Sequence, residues 1–172
     1  MQPEMPSPAR VDALLAYLDG FQQRDTPFAR WQGGRQEDGI YFRPAPVYAP
    51  DVIAFFHELN QPCWVDPDCN PRRAGGWLDH PRFIETAGYD RIRIMLTYCL
   101  RGEEQSAGHW ERMLTSGKLI AVLERLRYMR TAFPQTLTKD EAVQPISPAS
   151  DTAAKSAPAQ QQAISRTLPQ PA

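Results

Sequence analysis

Residues 108–130, GHWERMLTSGKLIAVLERLRYMR, decide the fold. Apolar residues recur at helical spacing on both sides of Ser116-Gly117, which predicts two helices joined by a tight turn. A DNA-reading helix-turn-helix exposes polar side chains early in its second helix. Here that helix begins with Lys118, Leu119 and Ile120, and only Lys118 and Arg125 on its exposed edge suit DNA. We therefore interpret the pair as a helical hairpin that closes a core.

The segment before the hairpin predicts the central helix. From Asp90 to Arg101 apolar residues surround nearly the whole helix, and only Arg93, Thr97 and Arg101 leave a narrow polar stripe. A helix that is apolar on nearly every side is normally central. We expect Met95 and Leu96 within it to be fully buried.

Three further helices are predicted before it, the last a short one near Pro81 to Thr86 that Asp79 caps. Ser7-Pro8 is typical of a helix N-terminus, Leu-rich spacing follows, and Gly20 is expected to end that helix. Pro50 opens another, whereas residues 61–79 have the composition of a long loop. The sequence thus predicts a mainly α class: a compact helical domain over residues 7–132 with a central apolar helix and a short hairpin near residues 30–48.

The last part of the chain has a different composition. From Pro134 onward it is mostly Pro, Ala, Gln, Ser and Thr, with no aromatic residue. Such a segment buries too little apolar area to offset the entropy of ordering. We predict that residues 133–172 form a disordered tail.

Charge and composition bound the function. The net charge is −1 and the pI is near 6.3, so no global field attracts nucleic acid. Sixteen arginines against three lysines suggest a bacterial source with GC-rich coding. No signal peptide and no apolar run long enough for a membrane is visible, so we expect a cytoplasmic protein without membrane contact.

No chemical motif is complete. Asp66, Asp68 and Asn70 alternate as in a calcium loop, but the required later Gly and Glu are absent. His57, Cys63, Cys69 and His80 lack the paired short spacing of a zinc site. His109, Glu111 and Arg112 are successive helix positions, which diverge rather than converge. We therefore predict no catalytic, cofactor-binding or metal-binding residues and consider an enzyme the third, least favoured class.

Two surfaces remain as candidates. Arg72, Arg73 and Trp77 lie on the predicted long loop, and Trp and Arg are enriched at interfaces. They favour a non-catalytic protein–protein interaction or regulatory module whose partner is another protein. The alternative is a nucleic-acid-associated regulator that uses an Arg/Lys surface on the last helices, formed by Arg91, Arg93, Lys118 and Arg125.

The chain also resembles a known group of sequences. The pattern comprises a Leu-rich first helix, a Pro-capped helix and a closing Gly-x8-Gly-x5-Leu-x-Arg-Leu pattern preceded by Arg-x-Glu. Its residues here are Arg101, Glu103, Gly108, Gly117, Leu123, Arg125 and Leu126. In these features the chain is similar to an uncharacterised family of small bacterial domains, a domain of unknown function, over Val11 to Met129. Where that family has an Arg-aromatic pair after the Glu, this chain has Glu104 and Gln105. The resemblance implies a compact, mainly helical domain and no particular activity.

Overall fold

A computed structural model describes residues 5–35, 37 and 39–132 of the chain; the predicted disordered tail, residues 133–172, lies outside them. Helices and a two-stranded sheet follow one another in the order α1 Pro8–Leu15, α2 Leu18–Gln22, β1 Ala29–Arg35, β2 Tyr41–Tyr48, α3 Pro50–Leu59, α4 Pro71–Leu78, α5 Pro81–Glu85, α6 Tyr89–Gln105, α7 His109–Thr115 and α8 Lys118–Ala132. The mainly α class is therefore confirmed.

Helix α6 is the central element, as predicted. It packs against α3, α4, α7 and α8. Met95 and Leu96 have no exposed surface. The helix extends to Gln105, past the predicted end at Arg101, because residues up to Ser106 keep the helical bonding: the Ser106 amide donates to the Gly102 carbonyl. Within the described part of the chain, no helix is long and apolar enough to cross a membrane.

The first helical segment differs from its prediction. Ser7 caps α1 by accepting a hydrogen bond from the Arg10 amide, with Pro8 at the first helical position. The chain then turns at residues 16–17, and a second short helix contains Gly20 instead of ending there. The prediction for Gly20 was wrong because burial of Leu18 and Phe21 on either side holds α2 against the core.

The hairpin is confirmed over the predicted region. Strands β1 and β2 are antiparallel, with Ala29 opposite Tyr48 and Trp31 opposite Pro46. A bulge interrupts the pairing between Gln32 and Gly34. Gly33, within this bulge, has a φ of 106°, and a Cβ there would lie 2.8 Å from the Arg43 carbonyl oxygen. The bulge therefore requires glycine at position 33.

The predicted loop at residues 61–79 contains helix α4. Asn70 caps it by accepting a hydrogen bond from the Arg73 amide across 3.2 Å, and Pro71 occupies the first position. Gly75 and Gly76 within the helix lower its intrinsic propensity. Packing offsets this, because Ala74 and Leu78 are buried and Gly75 leaves room for the Tyr98 side chain.

Two of the three residues in the polar stripe of α6, Arg93 and Thr97, are buried. Arg93 is only 6% exposed and Thr97 only 1%. Residues 61–70 lie over them: the Arg93 guanidinium pairs with Asp66 across 2.6 Å, and the Thr97 hydroxyl accepts from the Asp66 amide across 2.8 Å. Of the three stripe residues, Arg101 alone is exposed.

Helices α7 and α8 form the predicted hairpin. Gly117 takes a left-handed φ of 74° at the turn, a conformation that favours glycine. Four α8 residues are buried in the core, in the predicted phase: Leu119, Val122, Leu123 and Leu126. Met129, the fifth predicted core residue, is half-buried.

Candidate functional site

One face of α4 carries a stacked cation and aromatic ring. Arg73 and Trp77 are four positions apart, which places them on the same side of the helix. The Arg73 guanidinium carbon lies 4.6 Å from the Trp77 ring centroid. Trp77 is half-buried against the core, so it offers a fixed platform for the arginine.

A second arginine reaches the same ring from α6. The guanidinium carbon of Arg91 lies 5.0 Å from the Trp77 centroid and 5.8 Å from that of Phe83 on α5. Phe83 is itself 43% exposed. We name Arg73, Trp77, Phe83 and Arg91 the stacked-arginine surface; three helices contribute to it.

The charges of this surface are not neutralised within the fold. Among the residues that the structure describes, neither Arg73 nor Arg91 forms an ion pair or a side-chain hydrogen bond. Other cations of the chain do: Arg10 pairs with Glu58 and Arg130 with Asp12. A guanidinium stacked on a ring keeps its N–H edges free for a planar acceptor such as a carboxylate.

The predicted interaction residues are thus brought together only in part. Arg73 and Trp77 form the stack, whereas Arg72 is exposed without a described contact to either. Their expected position on a loop was wrong, because all three lie on α4. Arg91, assigned from sequence to the nucleic-acid alternative, belongs to this same cluster.

The four residues of the nucleic-acid alternative do not share one surface. Arg93 is buried in its pair with Asp66, so its predicted exposure was wrong. Lys118 pairs with Asp79 across 2.6 Å, and this contact holds the pKa of the Asp79 carboxyl below its usual range. Arg125 donates from Nε to the Ala87 carbonyl across 3.0 Å and lies over the Tyr128 ring.

Lys118 and Arg125 border a groove between α5 and α8. Its volume is about 440 Å³, and Glu85 and Glu124 line it together with the two cations. The opposed charges are mixed along its walls. Such a groove offers no continuous positive track for a phosphate backbone.

A larger cleft lies among α4, α6 and α7, with a volume of about 630 Å³. We name it the α6–α7 cleft. Its lining comprises Cys69, Pro71, Thr97, Tyr98, Arg101, Gly102, Glu104, Gln105, Ser106, His109, Arg112 and Met113. Sequence reasoning missed it, although Arg101 stood out as part of the polar stripe and of the family-like pattern. Sequence patterns do not reveal the cleft, because its lining residues come from separate parts of the chain that only the tertiary structure brings together.

Two side chains of this cleft, Cys69 and His109, have pKa values shifted toward the neutral form. Burial raises the pKa of the Cys69 thiol, although the Arg101 charge acts in the opposite direction. Burial, together with the Arg112 charge, lowers the pKa of His109. A reactive cysteine needs a stabilised thiolate, which these shifts oppose. The cleft therefore has binding groups rather than an activated nucleophile.

A carboxylate behind the cleft organises the start of α7. Glu103 accepts hydrogen bonds from the backbone amides of Gly108 and Trp110, across 2.8 Å and 3.0 Å, and from the Tyr48 hydroxyl across 2.7 Å. Burial, the hydrogen bond to Glu103 and its charge raise the pKa of Tyr48, so the phenol remains a donor. Glu103 of the family-like pattern thus has a structural role.

Gly108 of the same pattern is also required by the fold. It has a φ of 80°, and a Cβ there would lie 2.5 Å from the Trp31 ring. The Trp31 indole donates from Nε1 to Glu111 across 2.8 Å, which fastens the hairpin to α7. Glu103 and Gly108 of the pattern are therefore explained by capping and packing at this corner, whereas Arg101 is exposed.

The remaining motifs have local roles. The Asp66 carboxylate accepts from the Asp68 amide across 2.9 Å, which forms a tight turn. Cys63, Cys69 and Cys99 form no disulfide with one another. Among the residues that the structure describes, no group of three or more His, Cys, Asp or Glu side chains is placed to hold a metal ion.

The chain matches a known protein family. A family described as "Family of unknown function (DUF6508)" matches residues 6–132, which is most of the chain. No curated protein and no solved structure matches it.

Proposed function

Since the chain belongs to the DUF6508 family of unknown function, we propose a function from its own surface: it binds an acidic segment of another protein at the stacked-arginine surface. One observation carries this proposal. Arg73 and Arg91 both stack on Trp77 and, among the described residues, neither has a carboxylate partner.

The geometry suits a carboxylate partner. Stacking restricts both guanidinium groups, so less side-chain entropy is lost when a ligand binds. A planar guanidinium can donate two parallel hydrogen bonds to one carboxylate. Trp77 is half-buried and Phe83 is 43% exposed, so an apolar neighbour of the acidic residue would have a contact area beside the charges. Trp and Arg are the residue types that most often dominate protein interfaces.

An acidic protein segment fits better than a nucleic-acid backbone. Nucleic-acid affinity grows with the number of phosphates that are neutralised together. Of the four cations in the nucleic-acid alternative, Arg93 is buried and Lys118 is paired with Asp79.

The proposal includes the cellular setting and the absence of catalysis. We place the protein in a bacterial cytoplasm as a non-catalytic interaction or regulatory module. Its three described cysteines form no disulfide with one another, which suits a reducing compartment. The arginine-rich composition supports a bacterial source.

A nuclear magnetic resonance titration tests the proposal. The probe is a peptide of repeated Asp-Glu-Phe units, compared with the same peptide carrying Asn and Gln in place of the acids. We expect the acidic peptide to shift the Trp77 indole signal, assigned with Trp77→Phe, and the neutral peptide to bind at least about tenfold more weakly. Arg73→Gln and Arg91→Gln should each weaken binding of the acidic peptide.

The matched control is Arg43→Gln, which removes an exposed guanidinium from the hairpin. It should leave the affinity unchanged. If the Trp77 signal does not respond to the acidic peptide, or if Arg43→Gln weakens binding as much as Arg73→Gln, the proposed surface is wrong. A single-stranded oligonucleotide that shifts Trp77 with a steep salt dependence would instead support the nucleic-acid alternative.

A further inference from the structure

The α6–α7 cleft is independent of the stacked-arginine surface. It has a volume of about 630 Å³, within the range of sites that hold small molecules. None of the four residues of the stacked-arginine surface lines it. A protein segment bound at Trp77 would therefore not occupy this cleft.

The cleft contains a cation without a partner. The Arg101 guanidinium is exposed and forms no ion pair or hydrogen bond with any residue that the structure describes. Arg112, the other guanidinium of the lining, is already engaged: it donates to the Ala107 carbonyl across 3.1 Å and to the Ser106 hydroxyl across 2.9 Å. Glu104 is the one carboxylate of the lining. The cleft therefore has a net positive charge, with Arg101 free to anchor an anion.

The rest of the lining is mainly aromatic and apolar. Tyr98 packs edge-on against His109, with ring centroids 5.1 Å apart, and Met113 and Pro71 belong to the same lining. The Tyr98 hydroxyl has no hydrogen-bond partner among the described residues. This arrangement can hold the flat body of a ligand against the Tyr98 ring.

The His109 side chain in this lining is uncharged but still polar. The residue is 6% exposed, and its Nε2 atom has no hydrogen-bond partner in the described part of the chain. The ring lies against Gly102, where a Cβ would come within 2.3 Å of Nε2. Because the imidazole is uncharged, the positive charge of the cleft comes from the guanidinium groups of Arg101 and Arg112.

We propose that the α6–α7 cleft binds a small organic carboxylate with a flat apolar body. Arg101 holds the carboxylate by paired hydrogen bonds, and the body packs between Tyr98 and Met113. An inorganic anion would meet the same guanidinium, but it has no apolar body to bury, so most of the cleft would remain unfilled.

Titrations of the whole chain with three small probes test this inference. Benzoate carries both the carboxylate and the flat body; benzamide has the body without the charge; inorganic phosphate has the charge without the body. Ligands of this size bind with millimolar dissociation constants when they fit, which amide chemical shifts detect. We expect benzoate to shift the amides of Arg101, Gly102 and Met113, and to bind at least about tenfold more tightly than benzamide or phosphate.

Two variants that each remove one charge, at positions one helical turn apart, test the role of charge in binding. Arg101→Gln should weaken benzoate binding by about tenfold or more, whereas Glu104→Gln, which removes the one lining carboxylate, should leave it equal or tighter. Arg35→Gln on the hairpin is the control for the loss of an exposed guanidinium and should change nothing. Unchanged amide spectra away from the cleft will show that each variant is folded.

Three results would overturn the inference. One is the absence of any benzoate-dependent shift at Arg101, Gly102 and Met113. Another is equal binding of benzoate by Arg101→Gln and by the unchanged protein. The third is binding of benzamide or phosphate as tight as that of benzoate. Tight benzamide binding would show that the cleft selects only the flat body, and tight phosphate binding that it selects only the charge.

Discussion

Arg93 and Asp66 are held together beneath the surface: Nη2 of the arginine lies 2.6 Å from a carboxylate oxygen of the aspartate, and both residues are buried. The pair joins the middle of α6 to the segment that precedes α4. The same segment is fastened by Thr97, which accepts from the Asp66 amide and donates to the backbone of α6 at Arg93. This polar contact lies within an otherwise apolar interface.

Arg93→Met should destabilise the protein by about 3–5 kcal/mol, because it leaves the Asp66 charge buried without its partner. Asp66→Asn should have a similar effect through the unpaired guanidinium. The double variant should cost clearly less than the sum of the two, since neither charge then remains. Chemical denaturation of the four proteins measures this coupling. Additive losses would show that the two side chains do not act as a pair.

Glu103→Ala should cost about 1.5–3 kcal/mol, because the amides of Gly108 and Trp110 and the Tyr48 hydroxyl all lose their charged acceptor. Glu103→Gln keeps an acceptor oxygen and should cost less. The adjacent Glu104→Ala is a matched control, since Glu104 is exposed and should change stability by no more than about 0.5 kcal/mol. Equal losses at positions 103 and 104, measured by thermal and urea unfolding, would contradict the capping role.

Leu96→Ala should cost about 2–5 kcal/mol, because Leu96 has no exposed surface at the centre of α6 and its truncation leaves a cavity. A domain of this size is typically stable by about 5–15 kcal/mol, so the variant should unfold at much lower denaturant concentration. Ile53→Ala on α3 is the control, since Ile53 is 53% exposed. A small loss at Leu96, comparable with that at Ile53, would show that α6 is not central.

Stability should fall as the pH is lowered below about 6.5, in part because of His109. Burial, and then the Arg112 charge, lower the pKa of His109 in the folded protein, while Glu103 acts the other way. The unfolded chain therefore takes up a proton at a higher pH than the folded chain does. The stabilisation is complete above the unfolded pKa and decreases as the pH falls toward the folded pKa.

The measurement is the free energy of unfolding against pH for the unchanged protein and for His109→Gln. The slope in this window should be smaller in the variant, whereas His57→Gln, which removes an exposed imidazole, should leave it unchanged. A slope that is the same in His109→Gln would mean that His109 takes up its proton equally readily in both states.

The local sequence pattern was sufficient to predict much of the helical framework. The apolar spacing of residues 119–126 predicted the buried face of α8, and the nearly continuous apolar surface of residues 90–101 predicted the central place of α6. These inferences succeeded because helical periodicity is a local property, and an apolar face must be buried wherever the chain goes. The hairpin was predicted from the turn residues Gly33-Gly34 and Asp38-Gly39 and from one short strand-like run, residues 39–43.

The sites depended on contacts that the sequence does not display. Helix α4 forms despite Gly75 and Gly76 because Tyr98 fills the space above Gly75, a contact between separate helices. Arg91 and Arg73 were assigned to different surfaces, and only the packing of α4 against α6 brings them to the same tryptophan.

The sequence by itself determined which faces of the helices are apolar, since that depends on residue order alone. The tertiary structure decided which polar residues are exposed. Arg93 looked like part of a solvent-facing stripe, yet Asp66, 27 residues earlier, covers and neutralises it. Arg101, on the same stripe, remains exposed and borders a cleft. A polar side chain can satisfy its charge with water or with a distant partner, and periodicity does not distinguish the two.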